Sequence, residues 1–267
     1  MARPLVWKDL AALSRFRKHI MYLDNELRLI YNPGLFSSSV LSILTISSGF
    51  CTAVEQIDSA KYPFLIGQVF RTAVDHSARL SYLAPEGQDH PGFSAVLAQL
   101  TTMAGEGGAL QILAEVDQNS LEESLLARAG FRPYAEQRIW KLPQRFNYGT
   151  GKKAWVPITP REFDQVTAIY QRLVPSQIQR VEIPPTGNSI QGLLCWEAGE
   201  IVGVALTRFG PRGIMADLIL EPDLNELDDY LGALFFHMPY KRSGDIYLKI
   251  RTYQQQIISV LERGEAS

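Results

Sequence analysis

Cysteine and histidine are scarce in these 267 residues, with two of the first and four of the second. Cys51 and Cys195 each sit in an apolar, strand-like run, which reads as two buried, inert thiols in a reducing compartment. His19, His76, His90 and His237 are scattered and lack the spacing to cysteines or acids that a metal site needs. No basic excess is present either: a formal net charge of -2 excludes the electrostatic footprint of a nucleic-acid binder. Neither a Gly-x-Ser-x-Gly elbow nor a Walker-type phosphate loop occurs. Lys8 and Asp9 interrupt the first apolar run, and Arg15, Arg17 and Lys18 follow before the core of a signal peptide could form. The uncharged stretch 32–54 is rich in serine and broken by Pro33, Gly34 and Gly49, so it reads as a buried helix and a strand and not as a membrane span. What remains is the profile of a soluble, cytoplasmic globular protein that contacts neither membrane nor nucleic acid, long enough for two ordinary domains.

What the chain does contain is a repeat. Residues 80–86 and 217–223 are short apolar strands broken at Pro85-Glu86 and at Pro222-Asp223. Each leads into a helix-period segment: Phe93, Val96, Leu97, Leu100 and Ala104 in the first half, Leu227, Tyr230, Leu231, Leu234, Phe235 and Met238 in the second. A second apolar strand follows (110–116; 245–250), then a helix reaching Gly130 or Gly264. Upstream, strands at 50–56 and 64–72 match strands at 193–197 and 201–207, the latter pair joined by the hairpin signal Ala198-Gly199-Glu200. Each half opens on an amphipathic helix, through Leu10, Leu13, Phe16 and Ile20, and through Phe163, Val166, Ile169, Tyr170 and Leu173. A further helix, 35–46, occurs only in the first half.

The polar, breaker-rich run 143–153 predicts a boundary between an N-terminal domain, 1–145, and a C-terminal domain, 154–267. One asymmetry stands out. After Gly130-Phe131 the first half continues into a strand ending at Ile139, Trp140, Lys141 and Leu142, whereas three residues follow Gly264. The second sheet is therefore expected to lack its last strand and to end in an open edge, which favours self-association and suggests a shortened or truncated C-terminus.

This order of elements, given twice, resembles the GNAT superfamily of acyl-CoA-dependent N-acyltransferases. Residues 119–131, from Asn119 through Leu125 and Leu126 to Gly130-Phe131, are similar to the family's Asn, Leu-Tyr and Gly-Phe spacing; residues 196–203 resemble its hairpin. The resemblance implies an α/β (α+β) fold of two tandem GNAT-like units, each a mixed, mostly antiparallel sheet flanked by helices. The strands bearing Tyr82 and Glu115 should be parallel neighbours that splay at their C-terminal ends.

Family membership would place acyl-CoA in that splay, its pyrophosphate on backbone amides of a glycine-rich loop opening the next helix, where the helix dipole favours an anion. In the first half the implied cofactor-binding residues are Leu83, Ala84, Gln88, Gly92, Phe93 and Asn119. Gln88 stands at the family's Arg/Gln position, while Pro91 and Phe93 replace its two small residues, and Asp89 opposes a phosphate. The second loop, 221–229, holds five acids and none of the glycines, so it is not expected to hold CoA. The family's frequent tyrosine acid falls on Leu126 and Val260. Glu115 and Tyr82 are the candidate catalytic groups of the first half, with Asp217 their analogue in the second. The function implied is acyl transfer from acetyl-CoA or another acyl-CoA to a small amine, with the CoA site in the first half. The alternative is a non-catalytic GNAT-fold module that binds a ligand or a partner.

Overall fold

The computed structural model describes residues 1–31, 35–44, 49–59, 61–72, 75–142, 153–185, 187, 190–238 and 244–263. The chain divides into two compact units, Met1–Arg132 and Pro133–Ser267. Each is built on a six-stranded mixed sheet. The run 143–152, within which the sequence placed the boundary, lies outside the described residues, as does the chain from Gly264 onward.

The first unit runs β1 (Arg3–Pro4), a 3₁₀ helix (Trp7–Phe16), β2 (Met21–Tyr22), a π-helical turn (Leu27–Tyr31), α1 (Leu35–Leu44), β3 (Phe50–Gln56), β4 (Phe64–Phe70), β5 (Ser77–Ala84), α2 (Gly92–Glu106), β6 (Gln111–Leu113) and α3 (Leu121–Arg128). Strands β1, β3, β4 and β5 are antiparallel in that order. The period-2 pattern sorts the side chains. Ala53, Leu65, Val69, Leu80 and Leu83 pack with Phe93, Val96, Leu97 and Leu100 of α2. Val54, Phe64, Ile66, Tyr82 and Ala84 pack on the other face with Leu13 and Phe16. Gly67 lets α2 approach: a Cβ there would lie 2.7 Å from Leu83 and 2.9 Å from Leu100 and Val96. The first helix is tighter than its spacing predicts. Asp9 accepts the Val6 N–H at 3.0 Å and both arms of Arg3 at 2.7 and 2.8 Å, fixing the start of a 3₁₀ run.

The second unit runs β7 (Gln137–Leu142), β8 (Trp155–Pro157), a 3₁₀ turn (Pro160–Glu162), α4 (Phe163–Leu173), α5 (Ser176–Gln179), β9 (Gly192–Glu197), β10 (Glu200–Gly210), β11 (Gly213–Leu220), α6 (Leu227–His237), β12 (Asp245–Arg251) and α7 (Gln255–Arg263). Sheet order is β7-β12-β11-β10-β9-β8, with β11 and β12 parallel and the rest antiparallel. Ala198 and Gly199, both with positive φ (50° and 87°), make the two-residue β9–β10 turn that the sequence signals.

One expectation is corrected here. The strand assigned to the end of the first half is β7, and it pairs with β12 of the second unit, Trp140 opposite Leu248. Leu142 is buried in the core that α6 and α7 cover, and Trp140 packs against it, while Lys141 pairs with Asp245 at 2.7 Å. The sheet edge expected to be open is thus occupied, and with it goes the motive for self-association there. The strand predicted over 110–116 is also shorter, since β6 ends at Leu113. Among the described residues, no helix is long and apolar enough to cross a membrane.

Candidate functional site

In both units the parallel central strands separate at their C-terminal ends, and the separation is a slot. In the first unit β5 and β6 pair from Ser77–Gln111 to Arg79–Leu113, and β5 then continues past the end of β6 to Ala84. A bulge between Gln68 and Val69 leaves Ser81 as the extra residue of β5, which bends the strand. Tyr82 therefore lies on β5 as expected, whereas Glu115, expected on the neighbouring parallel strand, follows just after β6 ends at Leu113.

The slot is filled by the chain itself. Met21 pairs antiparallel with Leu83, and Tyr22 with Tyr82. The Leu23 N–H donates to the Ser81 carbonyl at 3.0 Å, and the Leu23 carbonyl accepts from the Glu115 N–H at 2.8 Å. Residues 19–23 thus hydrogen-bond to both walls of the slot, as an extended strand would. Sequence reasoning missed this element because two residues carry no periodicity; the pairing exists only in the folded context.

The candidate catalytic pair is engaged elsewhere. The Tyr82 side chain is buried, its hydroxyl hydrogen-bonded to that of Ser39 at 3.1 Å. Burial pushes that hydroxyl well above a tyrosine's usual pKa, against the smaller opposing effect of the Ser39 and Ser38 hydrogen bonds. Glu115 accepts Arg79 at 3.2 Å and the Asn25 N–H at 3.0 Å. Arg79 also donates to Asp24 at 2.8 Å. Burial opposes charge on Arg79, but Asp24 and Glu115 outweigh it and hold the guanidinium protonated.

Of the residues implied for the cofactor, the structure uses most for packing or turns. Leu83 and Ala84 are buried, their strand flanked by β4 on one side and, at Leu83, by Met21 on the other. Phe93 is fully buried against the sheet. Gly92 donates its N–H to His90 Nδ1 at 3.0 Å, while the amides of Phe93 and Ser94 donate to the carbonyls of His90 and Pro91. Pro91 has no N–H, so the donors opening α2 are already committed. Gln88 is exposed, and Asp89 forms an exposed ion pair with Arg128. Asn119, at φ 59°, is a turn residue whose N–H bonds Glu123 at 2.6 Å and leads into the Ser120 cap of α3. At the mouth of the slot lies a cleft of about 290 Å³; among the described residues it is lined by the acids Glu86, Glu115, Asp117 and Glu122 and by one cation, Arg28. That sign of charge opposes a nucleotide.

The second unit repeats the geometry with a different filler. Pairing of β11 with β12 ends at Asp217–Lys249. Beyond it the buried Gln254 side chain spans the gap: its Nε2 donates to the Leu218 carbonyl at 2.8 Å, and its Oε1 accepts the Leu220 N–H at 3.2 Å. A single carboxamide satisfies two strand groups that a third strand would otherwise take. Next to it, on the face covered by α4 and α5, Lys249 pairs with Asp217 at 2.7 Å, and Arg251 pairs with Glu182. Tyr134 donates to Glu182 at 2.6 Å, and the Tyr170 hydroxyl donates to the Glu182 carbonyl at 3.2 Å. Burial, with the nearby Asp217 carboxylate, pushes Tyr253 up to about 12. This cluster was legible in part: Tyr247, Lys249 and Arg251 alternate with Ile246, Leu248 and Ile250, a polar face written into an apolar strand. The helix start beside it, at Glu226 and Leu227, carries Asp228 and Asp229 in its first turn. Leu126 and Val260, at the family's tyrosine position, are both buried core residues. Among the described residues, no group of three or more His, Cys, Asp or Glu side chains is placed to hold a metal ion.

No protein-family model matches the chain, and no curated protein matches it. Among solved structures it is similar to a tandem GNAT protein from the clavulanic acid biosynthesis pathway, with 14% identity over 99% of this chain and 94% of that one and a TM-score of 0.49. It is also similar to an acetyltransferase of the GNAT family from Colwellia psychrerythraea, with 10% identity over 100% and 96% and a TM-score of 0.49. A third is a GCN5-related N-acetyltransferase from Sphaerobacter thermophilus, with 11% identity over 94% and 86% and a TM-score of 0.49. Each unit of this chain holds, in its own right, an antiparallel hairpin, a third antiparallel strand, a helical crossover and a parallel fourth strand.

Proposed function

We propose that this chain is a non-catalytic GNAT-fold module, a ligand- or partner-binding relative of acyl-CoA-dependent acyltransferases. The observation that carries this reading is the main-chain filling of the first slot, where Leu23 bonds to both Ser81 and Glu115. Three further features support it: the committed amides at the start of α2, the acidic cleft, and the acids opening α6. The test is calorimetric and thermal-shift titration with acetyl-CoA and longer acyl-CoAs. A ligand at a hundred times its dissociation constant stabilises the fold by about 2.7 kcal/mol. No saturable heat and no shift in Tm are expected, and a shift of that size with turnover of any amine overturns the reading.

A second reading has one specific observation in its favour. Among the described residues, it is the side chain of Gln254 that takes the Leu218 carbonyl and the Leu220 N–H in the second slot, and a side chain can rotate away without unthreading the chain. On this reading acyl-CoA enters beside β11 and the chain acylates a small amine, with Asp217, in the last β11 pair before the gap, the candidate carboxylate. Gln254→Ala would then strengthen acetyl-CoA binding, whereas the first reading expects no binding in either protein.

A further inference from the structure

The filler of the first slot is held in two ways. Met21 and Leu23 bury their side chains in the core beneath α2. Immediately after them, the buried carboxylate of Asp24 accepts Arg79 Nε at 2.8 Å. The other arm of Arg79 reaches Glu115 at 3.2 Å, and Glu115 in turn accepts the Asn25 N–H at 3.0 Å. One guanidinium on β5 therefore grips both the end of the filling segment and the residue on the opposite wall. Strand pairing over two residues is too short to fix a segment by itself. The amide of Leu27, which donates to Asp24 at 3.2 Å, ties the clasp to the turn that follows.

We infer that residues 19–23 form a latched plug, kept in the slot by the Asp24–Arg79–Glu115 clasp, and that releasing the clasp uncovers a slot for an extended, amide-bearing chain. The inference rests on the reading that the chain fills its own slot. It goes beyond that reading by naming what keeps the slot shut. The walls that the plug leaves behind, the Ser81 carbonyl and the Glu115 N–H, offer one acceptor and one donor to an incoming amide.

The test uses the full chain, with hydrogen exchange read by mass spectrometry and pantetheine as the probe. Asp24→Asn keeps the shape of the side chain and removes its charge; Asp24→Asn with Met21→Ala also removes an apolar anchor. Peptides covering residues 19–25 should exchange at least tenfold faster in the double variant, with a smaller rise in the single one. The β3–β4 hairpin should be unchanged, which shows that the fold is intact. Millimolar pantetheine should restore protection at residues 81–84 in the double variant and do nothing to the wild type. Asp89→Asn, in the exposed pair with Arg128, should leave every reading alone. Unchanged exchange at 19–25, or an opened slot indifferent to pantetheine, overturns the latch. Wild-type binding of acetyl-CoA with 19–25 still protected overturns the proposed function and leaves the latch standing. Wild-type binding that itself releases 19–25 overturns the latch.

Discussion

Gly67 and Gly203 occupy matching strands of the two units and do the same work. A Cβ at Gly203 would lie 2.4 Å from Leu220 and 3.0 Å from Trp155, much as one at Gly67 would meet Leu83. Overpacking of this kind costs about 1–3 kcal/mol, so Gly67→Ala and Gly203→Ala should each lower the urea midpoint without changing the slope. Gln254→Ala should cost a similar amount for a different reason. It leaves the Leu218 carbonyl and Leu220 N–H without the partner the carboxamide gave them, a penalty of about 1–3 kcal/mol. Asp9 gives the pH dependence. Burial raises its pKa, but the Arg3 ion pair and the Val6 N–H outweigh that and hold it below the ordinary carboxylate value. A depressed carboxylate contributes stability that is full above its unfolded pKa, about 4, and lost as pH falls through the lower folded value. Urea unfolding across pH 2–5 should show Asp9→Asn losing less stability on acidification than the wild type. Cys195 is fully buried, and burial pushes its thiol up to about 11, so it should resist a thiol reagent at neutral pH until the protein unfolds.

At the scale of elements, the telling one is β7. Its sequence follows the first repeat, and its hydrogen bonds and apolar face belong to the second sheet. Trp140→Ala should therefore accelerate amide exchange in β12, around Leu248, and leave β4 and β5 of the first unit as they were; an effect on the first sheet instead would contradict the pairing. The hairpins, α2 and α6 were legible because each carries a period of 2 or 3.6 over enough residues to be read, whereas β6, expected over 110–116, is three residues long. β7 was legible as a strand but not as to its partner, because pairing depends on which core receives Trp140 and Leu142. β2 was not legible at all. Met21 and Tyr22 are a strand only through their pairing with Leu83 and Tyr82 of β5, beside the bulge at Ser81. Gln254 was hidden for the same reason: a glutamine before a helix has no signature of bridging two strand groups.

For the whole molecule, the two units share one strand order around the parallel pair and close the slot by different means, one with main chain and one with a side chain. Of the residues implied by family resemblance, Gly92 and Asn119 hydrogen-bond within turns, Phe93 packs in the core and Gln88 is exposed. Such an outcome follows when backbone geometry is fixed by packing but the ligand's donors are not. The most direct measurement is residue-resolved amide exchange on the wild-type chain at Leu23 and Glu115. Both amides donate across the first slot, so both should be protected to the level of the central strand β4. Exchange at those two amides as fast as in the exposed residues 87–89 would mean that the slot stands open in solution, and the reading of a self-filled, non-catalytic fold would be wrong.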